Sequence, residues 1–257
     1  AFDYNKDFTK SSLDIEQIYP AWTDDPKKIK EEVDTIIAKK RIPFVTLEAW
    51  LKDSKWEGRE KSLLTDTSSG YYDPLIKGVC SQFANYHQEI WIRWGHEMEL
   101  TAYAYPWQQN DPGKFIPAYR HVVAVCKSSG NQHMKFIWAP AGDKGAEFYW
   151  PGDEYVDYIG VTGLNIANNH HFKYFLQEKY DRLSGFNRKI IICEFGVIGS
   201  PEEKKAWFAD ALQNFSKFPL LAGVVYFNAV NPVLWDPELQ VKPNWSVTPD
   251  IVPVSGK

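Results

Sequence analysis

The chain has 257 residues, with 29 basic against 33 acidic side chains and a net charge of −4. That length is too great for a small binding module and is one that barrels commonly reach as a single unit. The acidic balance argues against a nucleic-acid partner, which a clustered basic surplus would signal. A mean hydropathy of −0.42 and the lack of any apolar run of spanning length predict no membrane segment in this chain. Aromatic residues stand out, with 11 Trp, 14 Tyr and 15 Phe. Their flat faces stack on the C–H faces of sugar rings, which points to a carbohydrate partner; a Trp-rich core is the alternative.

Short apolar segments alternate with amphipathic ones from end to end, the pattern of a parallel sheet with crossover helices. Strands are predicted near 2–5, 14–19, 42–48, 89–96, 134–139, 156–164, 188–194 and 221–228. These eight strands predict one α/β domain over 1–257, a closed (β/α)8 TIM barrel. Asp25-Pro26 opens a helix carrying Ile29, Val33, Ile36 and Ile37 on one face, and Asp73-Pro74 opens another with Leu75, Val79 and Phe83 in register. Both read as an acidic cap with Pro in the first turn. Asp111-Pro112 repeats the signal ahead of Phe115, Tyr119, Val122, Val123 and Cys126. Ser200-Pro201-Glu202-Glu203 predicts a capping box ahead of Trp207, Ala211 and Phe215.

Residues 51–70 and 97–112 read as long loops, the first polar and the second rich in Tyr and Trp. Both follow strands, which in a barrel places them on the face that carries active sites. The start at Ala1 without Met points to a processed export signal or to a piece of a longer chain, so a secreted or periplasmic location is expected. Cys80 and Cys126 lie on the apolar stripes of consecutive helices, where a bridge is geometrically conceivable, but buried free thiols are the expected state. Cys193 falls in a core strand. No Cys/His spacing supports a metal, and His170-His171 beside Asn168-Asn169 reads as a solvated loop start.

Glycoside hydrolysis needs two carboxyl groups flanking one bond, and in a barrel these belong at the carboxyl ends of strands. Two glutamates fit. Glu97 ends the segment from Glu89 through Arg93-Trp94-Gly95-His96, and Glu194 follows Ile190-Ile191-Ile192-Cys193 and precedes Phe195-Gly196. By count they close the fourth and seventh strands, on opposite sides of a barrel mouth. A carboxylate as deep as Glu194 must have partners or a purpose. Arg93 points into the barrel from its strand and needs a carboxylate, for which Glu194 is the natural candidate.

Arg93-Trp94-Gly95-His96-Glu97-Met98 resembles the Arg-x-x-His-Glu-Met segment of glycoside hydrolase family 26. Supporting segments run in the expected order: Tyr105-Pro106-Trp107, Phe136-Ile137-Trp138-Ala139-Pro140, the stretch from Trp150 to Gly160, and Cys193-Glu194-Phe195-Gly196. The resemblance covers residues 42–235 and implies a clan A (β/α)8 fold with endo-β-1,4-mannanase, mixed-linkage β-glucanase or β-1,3-xylanase activity. It further implies that Glu97 is the acid/base, that Glu194 is the nucleophile, and that Arg93 and His96 are inner-site residues. Trp138, Asn165, Tyr226 and Asn228 at strand ends are then expected as subsite residues. Trp107 and Trp235 are expected as stacking platforms on loops, with core or loop packing the alternative for each aromatic.

Two departures bear on the substrate. Glu99-Leu100 follow His-Glu-Met where many family members have Asn-Gly, and Thr162-Gly163-Leu164-Asn165 stands where the mannanase-like pattern is Asp-x-Tyr-Asn. The expected function is therefore retaining cleavage of internal β-linked bonds in a β-glucan or bacterial exopolysaccharide, with the carboxyl groups about 5–5.5 Å apart. An endo-β-1,4-mannanase and a non-catalytic glycan-binding barrel are the alternatives. A metal-dependent deacetylase or isomerase would need more His and Asp at strand ends. No cofactor is called for, no nucleic acid or membrane is an expected partner, and a monomer is expected.

Overall fold

The computed structural model describes residues 13–52, 58–101, 104–165, 171–230, 243–248 and 250–251. Seven strands are described: β1 (Ile15–Ile18), β2 (Ile42–Leu47), β3 (Ile90–Trp94), β4 (Met134–Trp138), β5 (Tyr158–Asn165), β6 (Lys189–Val197) and β7 (Leu221–Tyr226). They form one sheet in the order β1-β2-β3-β4-β5-β6-β7. The registers of β1 through β5, and of β6 with β7, are parallel. This sequential parallel order with intervening helices is the α/β topology of the TIM-barrel class. The seven correspond to the second through eighth predicted strands; the first, near 2–5, lies outside the described residues. The chain divides into two compact units, Asp14–Gly160 and the part from Val161 onward, the boundary falling inside β5.

Three helices start where their caps predict. In α1 (Pro26–Ala38) the Asp25 carboxylate accepts from the Lys27 N–H at 3.0 Å, and Ile29, Val33 and Ile36 are buried. Two short helices follow, α2 (Leu63–Ser68) and α3 (Asp73–Cys80). Asp73 is not the cap of α3, as expected, but its first residue. Its carboxylate instead pairs with His121 at 2.6 Å and Lys77 at 3.2 Å. In α4 (Pro112–Lys127) Asp111 accepts from the Lys114 N–H at 3.1 Å. After α5 (Phe172–Leu183), α6 (Pro201–Asn214) opens with the predicted capping box: Ser200 Oγ accepts from Glu203 N and Glu203 Oε2 accepts from Ser200 N.

Two expectations need correction. The stretch 51–70 is not loop throughout: Leu63, Leu64 and Thr67 are buried on one face of α2, which packs against α4. Its polar residues mislead because they serve the helix, with Asp66 accepting from Arg59 and Ser62. Cys80 and Cys126 are bridged rather than free thiols. Side-by-side packing of α3 and α4, tied also by His121 and Asp73, brings their Cα atoms to 5.1 Å, within bridging range. Cys193 is a buried thiol outside the disulfide, as expected of a core strand.

Candidate active site

In β3 every residue is buried, and successive side chains take opposite faces of the sheet. Trp94 turns to α4, its ring stacked on Phe115 with centroids 6.0 Å apart. Arg93 takes the other face, where its Nε donates to Thr46 Oγ1 at 2.9 Å, and Thr46 also accepts from Gln17. Rows of polar groups across β1, β2 and β3 thus hold a wholly buried guanidinium beside the rings of Tyr19 and Phe44.

The strand then stops in a turn that sequence alone does not specify. Gly95 has φ 63°, and a Cβ there would lie 2.8 Å from the Phe115 ring, so glycine is required on both counts. Glu97 is also left-handed, at φ 55°. A non-glycine residue in that conformation costs about 1–2 kcal/mol, and such strain concentrates at functional sites where the surroundings enforce it. Here the enforcement is visible. The Glu97 N–H donates to Ala139 O at 2.8 Å, and its carbonyl accepts from Gln108 Nε2 at 2.9 Å and from Leu100 N at 3.2 Å. The side chain is half-buried.

His96 is buried against Tyr105 and Trp107, with ring centroids 4.7 and 5.2 Å away. Burial, and then the Arg93 charge, hold its pKa well below the usual imidazole value, so it is neutral at neutral pH. Trp107 was expected as an exposed platform. It is instead 1% exposed, stacked on Tyr105 and donating its Nε1–H to the His96 carbonyl at 2.6 Å. It therefore supports the turn and has no free face for a sugar. Trp138, expected as a subsite residue, is likewise fully buried, with Trp150 edge-on at 5.1 Å.

Glu99 was seen in the sequence only as a departure from a pattern. The structure buries it to 9% exposure, with Oε1 accepting from Gly142 N at 2.8 Å and Asp143 N at 3.2 Å. Among the described residues Oε2 has no hydrogen-bond partner. Burial raises its pKa against the pull of the backbone N–H donors. The only sequence signal for it was an acidic residue beside His-Glu-Met in an aromatic, otherwise weakly charged stretch.

In the second unit Glu194 lies near the end of β6, 6% exposed, where the register with β7 shifts by one residue between Ile192 and Phe195, as at a β-bulge. Two glycines make room for its strand. A Cβ at Gly163 of β5 would meet Ile192 Cγ2 at 2.7 Å and the Glu194 carbonyl at 3.4 Å. One at Gly196 would meet Leu164 at 3.0 Å and the Trp245 ring at 3.1 Å. Trp245, which sequence reasoning passed over in a Pro-rich tail, is fully buried there. Its segment is clamped by side chains: Tyr226 Oη donates to Trp245 O, Asn228 Oδ1 accepts from Val247 N, and the buried Lys204 donates to Asn244 O and Ser246 O.

These bonds tie two of the expected subsite residues, Tyr226 and Asn228, to that segment. Tyr226 packs on Phe195 and on Phe208 of α6, and burial raises its pKa. Asn228 anchors the same segment. Asn165 is buried at the end of β5, its carbonyl accepting from Ile198 N. Trp235, His170, Asn168 and Asn169 lie outside the described residues. Among the described residues no cluster of three metal-ligating side chains occurs, and no helix is long and apolar enough to cross a membrane.

No protein-family model matches the chain. It is 24% identical over 242 residues to endoglucanase H of Acetivibrio thermocellus, covering 87% of this chain and 26% of that protein. It is 20% identical over 103 residues to the β-1,3-xylanase TXYA of a Vibrio species, covering 38% of this chain and 21% of that one. The chain thus spans about a quarter of the length of these curated relatives. Among solved structures it is similar to GH26C from Muricauda sp. at TM-score 0.66 and 15% identity, covering 91% of this chain and 77% of that one. It is also similar to a family 26 β-mannanase from Bacteroides ovatus at TM-score 0.65 and 14% identity, covering 91% and 75%. A broad-specificity endoglucanase from Ruminococcus champanellensis, with bound cellotriose, gives TM-score 0.67 at 10% identity, covering 94% and 78%. The chain has the TIM-barrel fold of these solved structures, and glycoside hydrolase family 26 is the family its ordered motifs resemble.

Proposed function

We propose that the chain is a retaining glycoside hydrolase that cleaves internal β-linked bonds, of the β-1,4 type, in a β-glucan or a bacterial exopolysaccharide. One observation carries the reading: two glutamates stand at the carboxyl-terminal ends of parallel strands, Glu97 on an enforced left-handed turn just past β3 and Glu194 buried near the end of β6. In the first step a Glu194 oxygen attacks the anomeric carbon while Glu97 gives its proton to the glycosidic oxygen, and the leaving chain departs as an alcohol. In the second, Glu97, now a carboxylate, takes a proton from water as that water attacks the anomeric carbon and frees the Glu194 carboxylate. Arg93 and a neutral His96 line the inner site, and the scheme needs no metal or cofactor.

The sugar preference is supported by the similarity to an endoglucanase over 87% of the chain and by Thr162 and Leu164 in β5. Those two side chains lack the charge and the phenol of the mannanase-like pattern, and Tyr226 does not replace the phenol because its hydroxyl is committed to Trp245 O. The solved β-mannanases of the same fold favour the second reading, an endo-β-1,4-mannanase. A secreted or periplasmic location is part of the proposal, supported by the Cys80–Cys126 bridge, which an oxidising compartment sustains.

The test combines rates and stereochemistry. Glu194→Ala is expected to abolish turnover while glycan binding persists, and NMR of the first-formed anomer is expected to show retention. Full activity of Glu194→Ala or Glu97→Ala on polysaccharide overturns the roles. Mannan turned over at least about tenfold faster than mixed-linkage glucan, a difference within reach of one hydrogen-bonding position, returns the substrate to mannan.

A further inference from the structure

The Glu97 turn rests on a second element that the sequence does not announce. Its N–H is received by Ala139 O, the first residue after β4 (2.8 Å). That segment lies past the end of β4 at Trp138, and the Glu97 side of the site holds it at a second point. Glu99 Oε1 accepts from the N–H groups of Gly142 (2.8 Å) and Asp143 (3.2 Å), beyond the left-handed Gly142. One turn thus grips the segment twice, by a backbone bond at residue 97 and by a buried side chain at residue 99. Gln108 completes the hold from the other side, donating to Glu97 O at 2.9 Å while its Oε1 accepts from Tyr105 N at 3.1 Å.

We propose that Glu99 is a positioning residue for acid catalysis: by fixing the segment after β4 it keeps Ala139 O in place, and so holds the strained Glu97 peptide with its carboxyl aimed at the glycosidic oxygen. The proposal rests on the reading of Glu97 as the acid/base. An oxygen acceptor at Oε1 is what the geometry demands. A glutamine supplies it without charge, in keeping with the Oε2 that has no hydrogen-bond partner among the described residues.

The experiment compares two substrates of one sugar: whichever of mixed-linkage glucan and mannan is turned over faster, and the matching 2,4-dinitrophenyl oligosaccharide, whose leaving group needs no proton. Glu99→Ala is expected to lower kcat on the polymer at least about tenfold with KM nearly unchanged, the size of loss that misplacing a reacting group produces. It is expected to leave kcat/KM on the dinitrophenyl substrate within about twofold. Glu99→Gln is expected to restore polymer activity to within about threefold of the parent, since it keeps the acceptor. Gln108→Met, which removes the donor to Glu97 O, is expected to repeat the acid-selective loss and carries the test if Glu99→Ala does not fold. Equal losses on both substrates, or a glutamine variant as impaired as the alanine, overturn the proposal. Glu97→Ala is the control on the underlying reading. Polymer activity retained by Glu97→Ala overturns the acid/base assignment, whatever Glu99 does, and no turnover of any polymer overturns the hydrolase reading and this role with it.

Discussion

Glu97 leaves β3 through a left-handed turn, whereas Glu194 never leaves the extended backbone of β6. The first is held by bonds from outside its strand: Ala139, Gln108, and Trp107 through His96. The second is held by the sheet itself and by the absence of side chains at Gly163 and Gly196, which admit Ile192, Leu164 and Trp245 against the strand. The difference teaches that a carboxyl group can be placed either by a strained peptide that many partners enforce or within an extended strand, at a shift of its register, that small neighbours make room for. The first arrangement is sensitive to its partners, the second to volume.

The largest expected effects come from removing the aromatic support on each side. Trp107→Ala and Trp245→Ala each delete a buried indole, and each is expected to cost about 3–5 kcal/mol in denaturant unfolding. An unchanged midpoint with weakened polymer binding for Trp107→Ala would instead return it to the role of an exposed platform. Next in size is the disulfide, which joins α3 to α4 across a sequence separation of 46 in the unit that carries Glu97. Chain-entropy arguments assign it about 4 kcal/mol. Replacing both cysteines by serine is expected to lower hydrogen-exchange protection in α3 and α4 well before β6 and β7; uniform loss would mean that the two units share their stability.

A smaller effect isolates the backbone. At position 97 glycine is expected to be more stable than alanine by about 1 kcal/mol, because only glycine escapes the left-handed penalty. At position 194 alanine is expected to be more stable than glycine by about 0.5–1 kcal/mol, because the strand favours a side chain. The same order at both sites would erase the distinction drawn between them.

The smallest effect is on pH dependence, and the two buried titrating groups of the Glu97 turn act with opposite sign. His96 has a folded pKa below its unfolded value, so the unfolded chain binds the extra proton and stability falls as pH drops below about 6.5. Glu99 has a folded pKa above its unfolded value, so its contribution is present at low pH and is lost as pH rises through that folded value. His96→Phe is expected to flatten the acid side of the stability profile, and Glu99→Gln to flatten the loss of stability as pH rises above the ordinary carboxylate range. An unchanged acid limb in His96→Phe would show that the imidazole is not the group responsible.

Much of this was legible in the residues. The alternation of apolar strands with capped helices fixes order and topology, because parallel strands buried on both faces and amphipathic helices each carry their own periodicity. The placement of Glu97 and Glu194 at strand ends followed from the same pattern, as did the caps at Asp25, Asp111 and Ser200. What was not legible shares one cause. Trp107, Trp138, Tyr226 and Asn228 have the composition of a sugar-binding set, yet whether an indole or a phenol faces solvent depends on what comes back to cover it from distant parts of the chain.

The sequence by itself thus determined the described strands, the capped helices at Asp25, Asp111 and Ser200, and the place of the two glutamates near the ends of β3 and β6, because local propensity and periodicity act between near neighbours. The tertiary structure alone decided which cysteines are bridged, that Glu97 sits in a left-handed peptide, that Glu99 reaches the segment after β4, and that Lys204, Tyr226 and Asn228 hold Trp245 against Gly196. The bridge and the Glu99 tie join residues more than forty positions apart, and the clamp on Trp245 gathers groups from α6, β7 and the segment after it. Their partners are set by how helices and loops pack, and no local signal in the chain encodes that packing.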